Sequence, residues 1–84
     1  MKKIKVKLSK INNIPFKLQT DFIKLDSLLK AVDAVNTGGH AKMVIAEERV
    51  KVNEKICLQR GKKIRAGDFV EFGLNRYIIT KNDS

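Results

Sequence analysis

Hydrophobic and polar positions alternate near both ends of this 84-residue chain and follow a helical period in its middle. Lysine and apolar side chains alternate strictly over residues 3–8, a pattern typical of a strand with one buried face. Asn12-Asn13 indicates a turn, and residues 14–18 form a second predicted strand, which Pro15 restricts to a sheet edge. The pattern therefore predicts an N-terminal β-hairpin.

The middle of the chain predicts two short helices joined by a tight turn. Over residues 25–35 the apolar side chains recur at spacings of three and four residues, which places them along one stripe of a helix. The stripe consists of Leu25, Leu28, Leu29, Val32 and Val35. Residues 36–39 end this period, and Thr37 is a favourable N-cap for a second helix over residues 38–47. That helix is expected to bury Ala41, Val44 and Ile45.

The alternating period returns after Glu48. Two strands are predicted around a tight turn at Asn53-Glu54, followed by a basic loop over residues 60–63. A final hairpin is predicted from residues 69–72 and 77–79. The resulting order, ββ-αα-ββ-ββ, belongs to the α+β class, and the length allows a single domain over residues 1–84.

Charge adds the first functional information. Eighteen lysines and arginines face nine acidic residues, giving a net charge of +9, which attracts polyanions. Residues 1–24 carry seven lysines and one aspartate, residues 42–65 carry eight basic groups and three glutamates, and residues 25–41 are nearly neutral. Because the charge lies in two blocks, one solvated tail does not account for it.

The start of the second predicted helix is a candidate phosphate site. A helix N-terminus offers unpaired N–H groups, and Gly38 and Gly39 have no side chains to hold a ligand away. Gly38, Lys42 and Ala46 share one face of that helix, and Arg49 would follow if the helix continued so far. The alternative is that the two glycines only allow tight packing on the first helix.

A basic strand and loop form the second candidate element. Its members are Arg49, Lys51, Lys55, Arg60, Lys62, Lys63 and Arg65. Each such cation that meets a phosphate adds affinity without reading sequence. The alternative is an ordinary solvated face.

Four sequence pieces over residues 24–72 resemble an S4 domain, an RNA-binding module. They are Lys24-Leu25-Asp26, the run Thr37-Gly38-Gly39-His40-Ala41-Lys42 with Ile45, Arg49-Val50-Lys51-Val52-Asn53, and Gly67-Asp68-Phe69-Val70. The Thr-Gly-Gly-x-Ala-Lys run is similar to that of small stand-alone bacterial S4-like proteins. The resemblance implies two short helices packed against a small, mostly antiparallel sheet. Residues 1–20 would then be a hairpin extension, 24–72 the S4 core, and 73–84 a C-terminal strand and tail.

The resemblance implies a non-catalytic protein that binds structured RNA, with ribosomal RNA or a ribosome-assembly intermediate as partner. The RNA-contacting residues expected from it and from the charge pattern are Lys24, Asp26, Thr37, Gly38, Gly39, His40, Lys42, Arg49, Lys51 and Lys62. Many S4 domains have Ser-Arg in place of Thr37-Gly38, and the family often has glycine in place of Glu48 and Glu54. These departures remove one expected arginine and place two acids near the predicted surface.

Other classes of function fit the sequence less well. His40 and Cys57 are the single histidine and cysteine, and a Cys–His pair is the catalytic alternative. No set of Cys, His and Asp residues has the spacing of metal ligands, and no cofactor is expected. A helix-turn-helix that binds DNA is the main alternative, although its second helix would offer few base-reading side chains. A protein- or membrane-docking module is the third alternative function. Without a signal peptide or membrane-spanning run, a cytoplasmic monomer with no membrane or small-molecule partner is expected.

Overall fold

The computed structural model of the protein describes residues 11–81. Two helices and seven strands occur in this part of the chain. They are β1 (Asn12–Leu18), β2 (Ile23–Lys24), α1 (Leu25–Ala31), α2 (Gly38–Ala46), β3 (Val50–Val52), β4 (Lys55–Ile56), β5 (Lys63–Ile64), β6 (Phe69–Phe72) and β7 (Asn75–Lys81). No helix among these residues is long and apolar enough to cross a membrane.

The larger sheet has the strand order β1-β7-β6-β3-β4, and all its pairs are antiparallel except the parallel β1–β7 pair. The predicted α+β architecture, with two helices and a mostly antiparallel sheet, is confirmed. Pro15 lies in β1 at the sheet edge, as expected. The first strand of the predicted N-terminal hairpin, residues 3–8, lies outside the described residues. Its predicted turn at Asn12-Asn13 is wrong, because both residues lie in β1 and pair with β7.

The hydrophobic core lies between the two helices and one face of the larger sheet. Both predicted helical stripes contribute to it, and Val50, Val52, Val70 and Tyr77 contribute from β3, β6 and β7. Cys57 is half-buried and packs against this core.

The first helix ends at Ala31, four residues earlier than the predicted end at residue 35. Asp33 adopts a left-handed conformation with φ 60°, and the N–H of Asp33 donates to the carbonyl of Lys30. The N–H of Ala34 donates to the carbonyl of Leu29, which completes a Schellman motif. Val35 still reaches the core at 3% exposure, so its place in the apolar stripe did not require a helical backbone.

The second helix ends in the same motif, with Glu48 at φ 62°. The N–H of Glu48 donates to the carbonyl of Ile45, and that of Arg49 donates to the carbonyl of Val44. The condition under which Arg49 would extend the face of Gly38 and Lys42 is therefore not met, because α2 ends at Ala46 and the chain turns at Glu48.

The predicted turn between β3 and β4 is a two-residue turn in which Asn53 and Glu54 have φ values of 52° and 74°. Two consecutive left-handed residues define a type I′ turn, which matches the twist of the flanking strands. Glu54 and Glu48 are the two positions where S4 domains often carry glycine. The chain keeps the turn geometry with glutamates in conformations that glycine adopts more readily.

The small sheet formed by β2 and β5 was not predicted. Ile23 pairs with Ile64, and Lys24 pairs with Lys63, in antiparallel register. Part of this pairing falls in what the sequence indicated as a basic loop over residues 60–63. Two-residue strands are too short to show a period, and the partners are about forty positions apart, which a local pattern does not encode.

Candidate nucleic-acid interface

The start of α2 is open and preorganised. The Thr37 hydroxyl accepts the N–H of His40 at 3.0 Å, which confirms the predicted N-cap. The N–H groups of Gly38 and Gly39 form no hydrogen bond with any other residue in 11–81, and both glycines are exposed. These two amides and the positive end of the helix dipole are therefore available to an external anion.

The fold itself does not require the two glycines. A Cβ atom at Gly38 would meet nothing within 4 Å, and one at Gly39 would meet only the Thr37 hydroxyl, at 3.8 Å. Neither glycine has a positive φ. The alternative that they permit close packing on α1 is thus contradicted. Their missing side chains leave free space outside the protein, over the unpaired amides.

Side chains on α2 divide between opposite sides of the helix. At about 100° per residue, Lys42 lies near Gly38 on one side, whereas His40 lies on the far side. Met43, which no motif in the sequence indicated, is 54% exposed between them. The spacing of four residues between Gly39 and Met43 indicates in the sequence that the two share one side of the helix. Lys42 therefore lies at the Gly38 edge of the exposed surface of α2, and His40, which is also exposed, lies at its other edge.

Arg49 and Lys51 form a second group beyond the end of α2. The Arg49 guanidinium lies 5.3 Å from the centre of the Phe72 ring and 3.4 Å from a carboxylate oxygen of Glu47. Arg49, Lys51 and Glu71 line a shallow cavity of about 160 Å³. Arg76 binds Glu71 at 3.1 Å, so the acid opposite Lys51 already has a cationic partner. The nine residues of α2, about 13 Å of helix, and the turn at Glu48 separate this group along the chain from the start of α2.

Lys24, Asp26 and Lys62 form a third group at the start of α1. The N–H of Leu25 donates to the carbonyl of Lys62 at 2.9 Å, and that of Asp26 donates to the carbonyl of Arg60 at 3.1 Å. Protein carbonyls thus occupy the first amides of α1, unlike those of α2. This end of α1 offers side-chain cations rather than backbone donors.

Of the five lysines and arginines among the predicted RNA-contacting residues, the four lysines are free to bind a ligand. Within residues 11–81, no carboxylate lies within 4.0 Å of the ammonium groups of Lys24, Lys42, Lys51 and Lys62, and all four residues are exposed. The same part of the chain contains no group of three or more His, Cys, Asp or Glu side chains that could hold a metal ion. The chemistry offered is therefore anion binding by cations and amide donors.

Comparisons with known proteins agree with this architecture. The family model for the S4 domain matches residues 16–80. The chain is 39% identical over 57 residues to the probable ribosome maturation protein RlbA of Bacillus subtilis (strain 168), a match that covers 68% of this chain and 80% of RlbA. The solution structure of YbcJ from E. coli, reported to reveal an ALFAL motif involved in RNA binding, superposes with a TM-score of 0.56 and 25% identity, covering 94% of this chain and 99% of YbcJ. The protein belongs to the S4 domain family.

Proposed function

We propose that this protein is a non-catalytic RNA-binding protein that contacts the phosphate backbone of structured RNA through the start of α2, Lys42 and the neighbouring cations. The observation that carries the proposal is the pair of exposed glycines at residues 38 and 39, which leave two helix amides uncovered although the fold has room for side chains there. Backbone N–H groups at a helix N-terminus bind phosphate well.

The partner is proposed to be ribosomal RNA or a ribosome-assembly intermediate in the cytoplasm. The relatives support this, since one is named for ribosome maturation and the other for a motif involved in RNA binding. Neither name points to DNA, and the exposed side of α2 offers two polar side chains, His40 and Lys42, beside two glycines, which is a poor set for reading bases. Such a surface suits recognition of shape and backbone, which is how structured RNA is mainly bound.

The aromatic side chains support structured over single-stranded RNA. Tyr77 is buried, and the four phenylalanines are half-buried, so none presents a fully open ring for a base to stack on. Single-strand binders rely on such stacking platforms. We propose that the protein acts as a monomer and uses no cofactor or small-molecule substrate.

Crosslinking in cells, followed by sequencing of the bound RNA, tests this function. The expected result is enrichment of ribosomal RNA over its share in an untagged control strain. A competition experiment with the purified protein and labelled ribosomal RNA accompanies it, in which folded RNA should displace the label and duplex DNA of equal phosphate concentration should not. Equal displacement by duplex DNA, or no RNA above the control, would contradict the proposal.

A further inference from the structure

The ribbon formed by β2 and β5 has one apolar face and one cationic face. Ile23 and Ile64 point toward the core, and Ile64 is fully buried. Lys24 and Lys63 therefore lie on the opposite, outer face, because side chains alternate along each strand. Arg65 is the first residue after β5, and its guanidinium lies over the same aromatic ring, that of Phe22, as the ammonium group of Lys63.

The outer face of this ribbon places like charges against each other without a counter-anion. Lys24 and Lys63 are direct cross-strand partners, an arrangement that destabilises a sheet when both side chains carry the same charge. No carboxylate of residues 11–81 lies within 4.0 Å of the charged nitrogen atoms of Lys24, Lys63 or Arg65.

Two nearby acids have other partners. Asp68 accepts from the side chain of Asn53 and from the backbone N–H of Arg65, and Asp21 pairs with Lys81 at 3.6 Å. Asp26, two residues beyond Lys24, forms no ion pair within the described part of the chain. The local cation excess is thus left unneutralised by the protein.

One aromatic ring holds two of these cations in place. The Nζ atom of Lys63 lies 4.9 Å from the centre of the Phe22 ring, and the Cζ atom of Arg65 lies 5.6 Å from it. The negative face of an aromatic ring attracts cations. Phe22 therefore draws together two groups that repel each other, and it limits the conformations of two long side chains before any ligand arrives.

We propose that Lys24, together with Lys63 and Arg65, which Phe22 positions, forms a second phosphate-binding site for the backbone of the bound RNA. This inference rests on the proposed function and extends it to three residues, Phe22, Lys63 and Arg65, on a part of the fold separate from α2. A phosphodiester supplies the negative charge that the outer face lacks, and the Arg65 guanidinium can donate two parallel hydrogen bonds to it. The site adjoins the carbonyl contacts of Lys62 and Arg60 with the start of α1. RNA would therefore be held at two places on the protein.

Salt-dependent binding to deproteinised bacterial ribosomal RNA tests the site. The double variant K63Q/R65Q should raise the dissociation constant about tenfold and lower the slope of log K against log salt by about 1 to 2, because each lost phosphate contact removes roughly 0.7 to 0.9. The matched control K17Q/K30Q loses the same charge from exposed positions on β1 and α1 and should stay within about twofold of the wild type. A double variant that behaves like this control would overturn the inference while leaving the proposed function intact.

A second variant tests the positioning role of Phe22. F22L keeps an apolar side chain but removes the ring, so it should weaken binding about threefold while both cations remain. Binding by F22L/K63Q/R65Q should equal that of K63Q/R65Q, because the ring acts only through those cations. An additional loss in the triple variant, at an unchanged melting temperature, would contradict that role. If the wild type itself bound no ribosomal RNA, the proposed function would fail, and the ribbon site would fail with it.

Discussion

The side-chain amide of Asn53 donates to the carboxylate of Asp68 at 3.0 Å and so ties the β3–β4 turn to the start of β6. The side-chain Oδ1 atom of Asn53 also accepts the N–H of Phe69 at 3.0 Å, and the carboxylate of Asp68 accepts the N–H of Arg65 at 2.9 Å. Asn53 and Asp68 belong to two sequence pieces that resemble the S4 pattern, Val-x-Val-Asn and Gly-Asp. Their contact gives a physical reason why the two pieces occur together.

Replacing Asn53 by alanine should lower the free energy of unfolding by about 2 kcal/mol, since two side-chain hydrogen bonds are lost and alanine tolerates the left-handed backbone less well. Urea denaturation measures the change. Asn36→Ala is the control, because Asn36 is exposed and makes no side-chain hydrogen bond within residues 11–81. Equal losses in the two variants would show that the Asn53 contacts contribute nothing.

Glutamate-to-glycine changes at the two left-handed positions should stabilise the protein. Glu48 and Glu54 have φ values of 62° and 74°, and glycine should raise the free energy of unfolding by about 0.5 to 1 kcal/mol at each, after its greater chain entropy is allowed for. Glu54→Gly also creates Asn-Gly, the preferred type I′ sequence.

The control for these changes is Glu47→Gly. Glu47 is the C-cap of α2 and has an ordinary φ of −83°, so glycine there should be neutral or destabilising. Thermal or urea unfolding of the three single variants makes the comparison. Stabilisation at Glu47 equal to that at Glu48 would mean that backbone strain is not the cause.

How far the sequence predicts this fold depends on how local each feature is. The apolar stripes, the Thr37 cap and the β3–β4 and β6–β7 hairpins follow from spacings of a few residues, and the structure confirms them. The parallel pairing of β1 with β7 joins Asn12 to Asn75. The sequence pattern of neither strand indicates which other strand it pairs with. The early end of α1 depends on Asp33 adopting a left-handed backbone. Aspartate tolerates this conformation, but its presence does not predict it.

The sequence indicates which residues belong to the candidate site better than it indicates which of them lie together in space. Thr37, Gly38, Gly39 and Lys42 come together because they share one helical turn and the next. His40 shares that turn and is exposed at the other edge of α2, whereas Arg49 lies beyond the turn at Glu48, and its guanidinium contacts the Phe72 ring. The contact between Phe22 and the side chains of Lys63 and Arg65 depends on β2 pairing with β5, so no sequence spacing indicated it.

Gly39→Ala should separate stability from binding. Alanine favours the helix, and its Cβ has room beside Thr37, so the free energy of unfolding should be unchanged or rise by up to about 1 kcal/mol. The same Cβ would hold a phosphate away from the exposed amides, so the affinity for ribosomal RNA should fall several-fold. Unfolding and RNA titration of one preparation measure both effects, and undiminished affinity would remove these amides from the site.

The most direct measurement is the dissociation constant for deproteinised ribosomal RNA of Lys42→Glu against Lys17→Glu at one salt concentration. Both variants lower the net charge by the same amount at exposed positions, but only Lys42 adjoins the open start of α2. Lys42→Glu should bind at least about tenfold more weakly than the wild type, corresponding to about 1.4 kcal/mol, and Lys17→Glu should stay within about threefold, with both variants melting like the wild type. Equal weakening in the two variants would show that general charge, and not a phosphate site at the start of α2, holds the RNA.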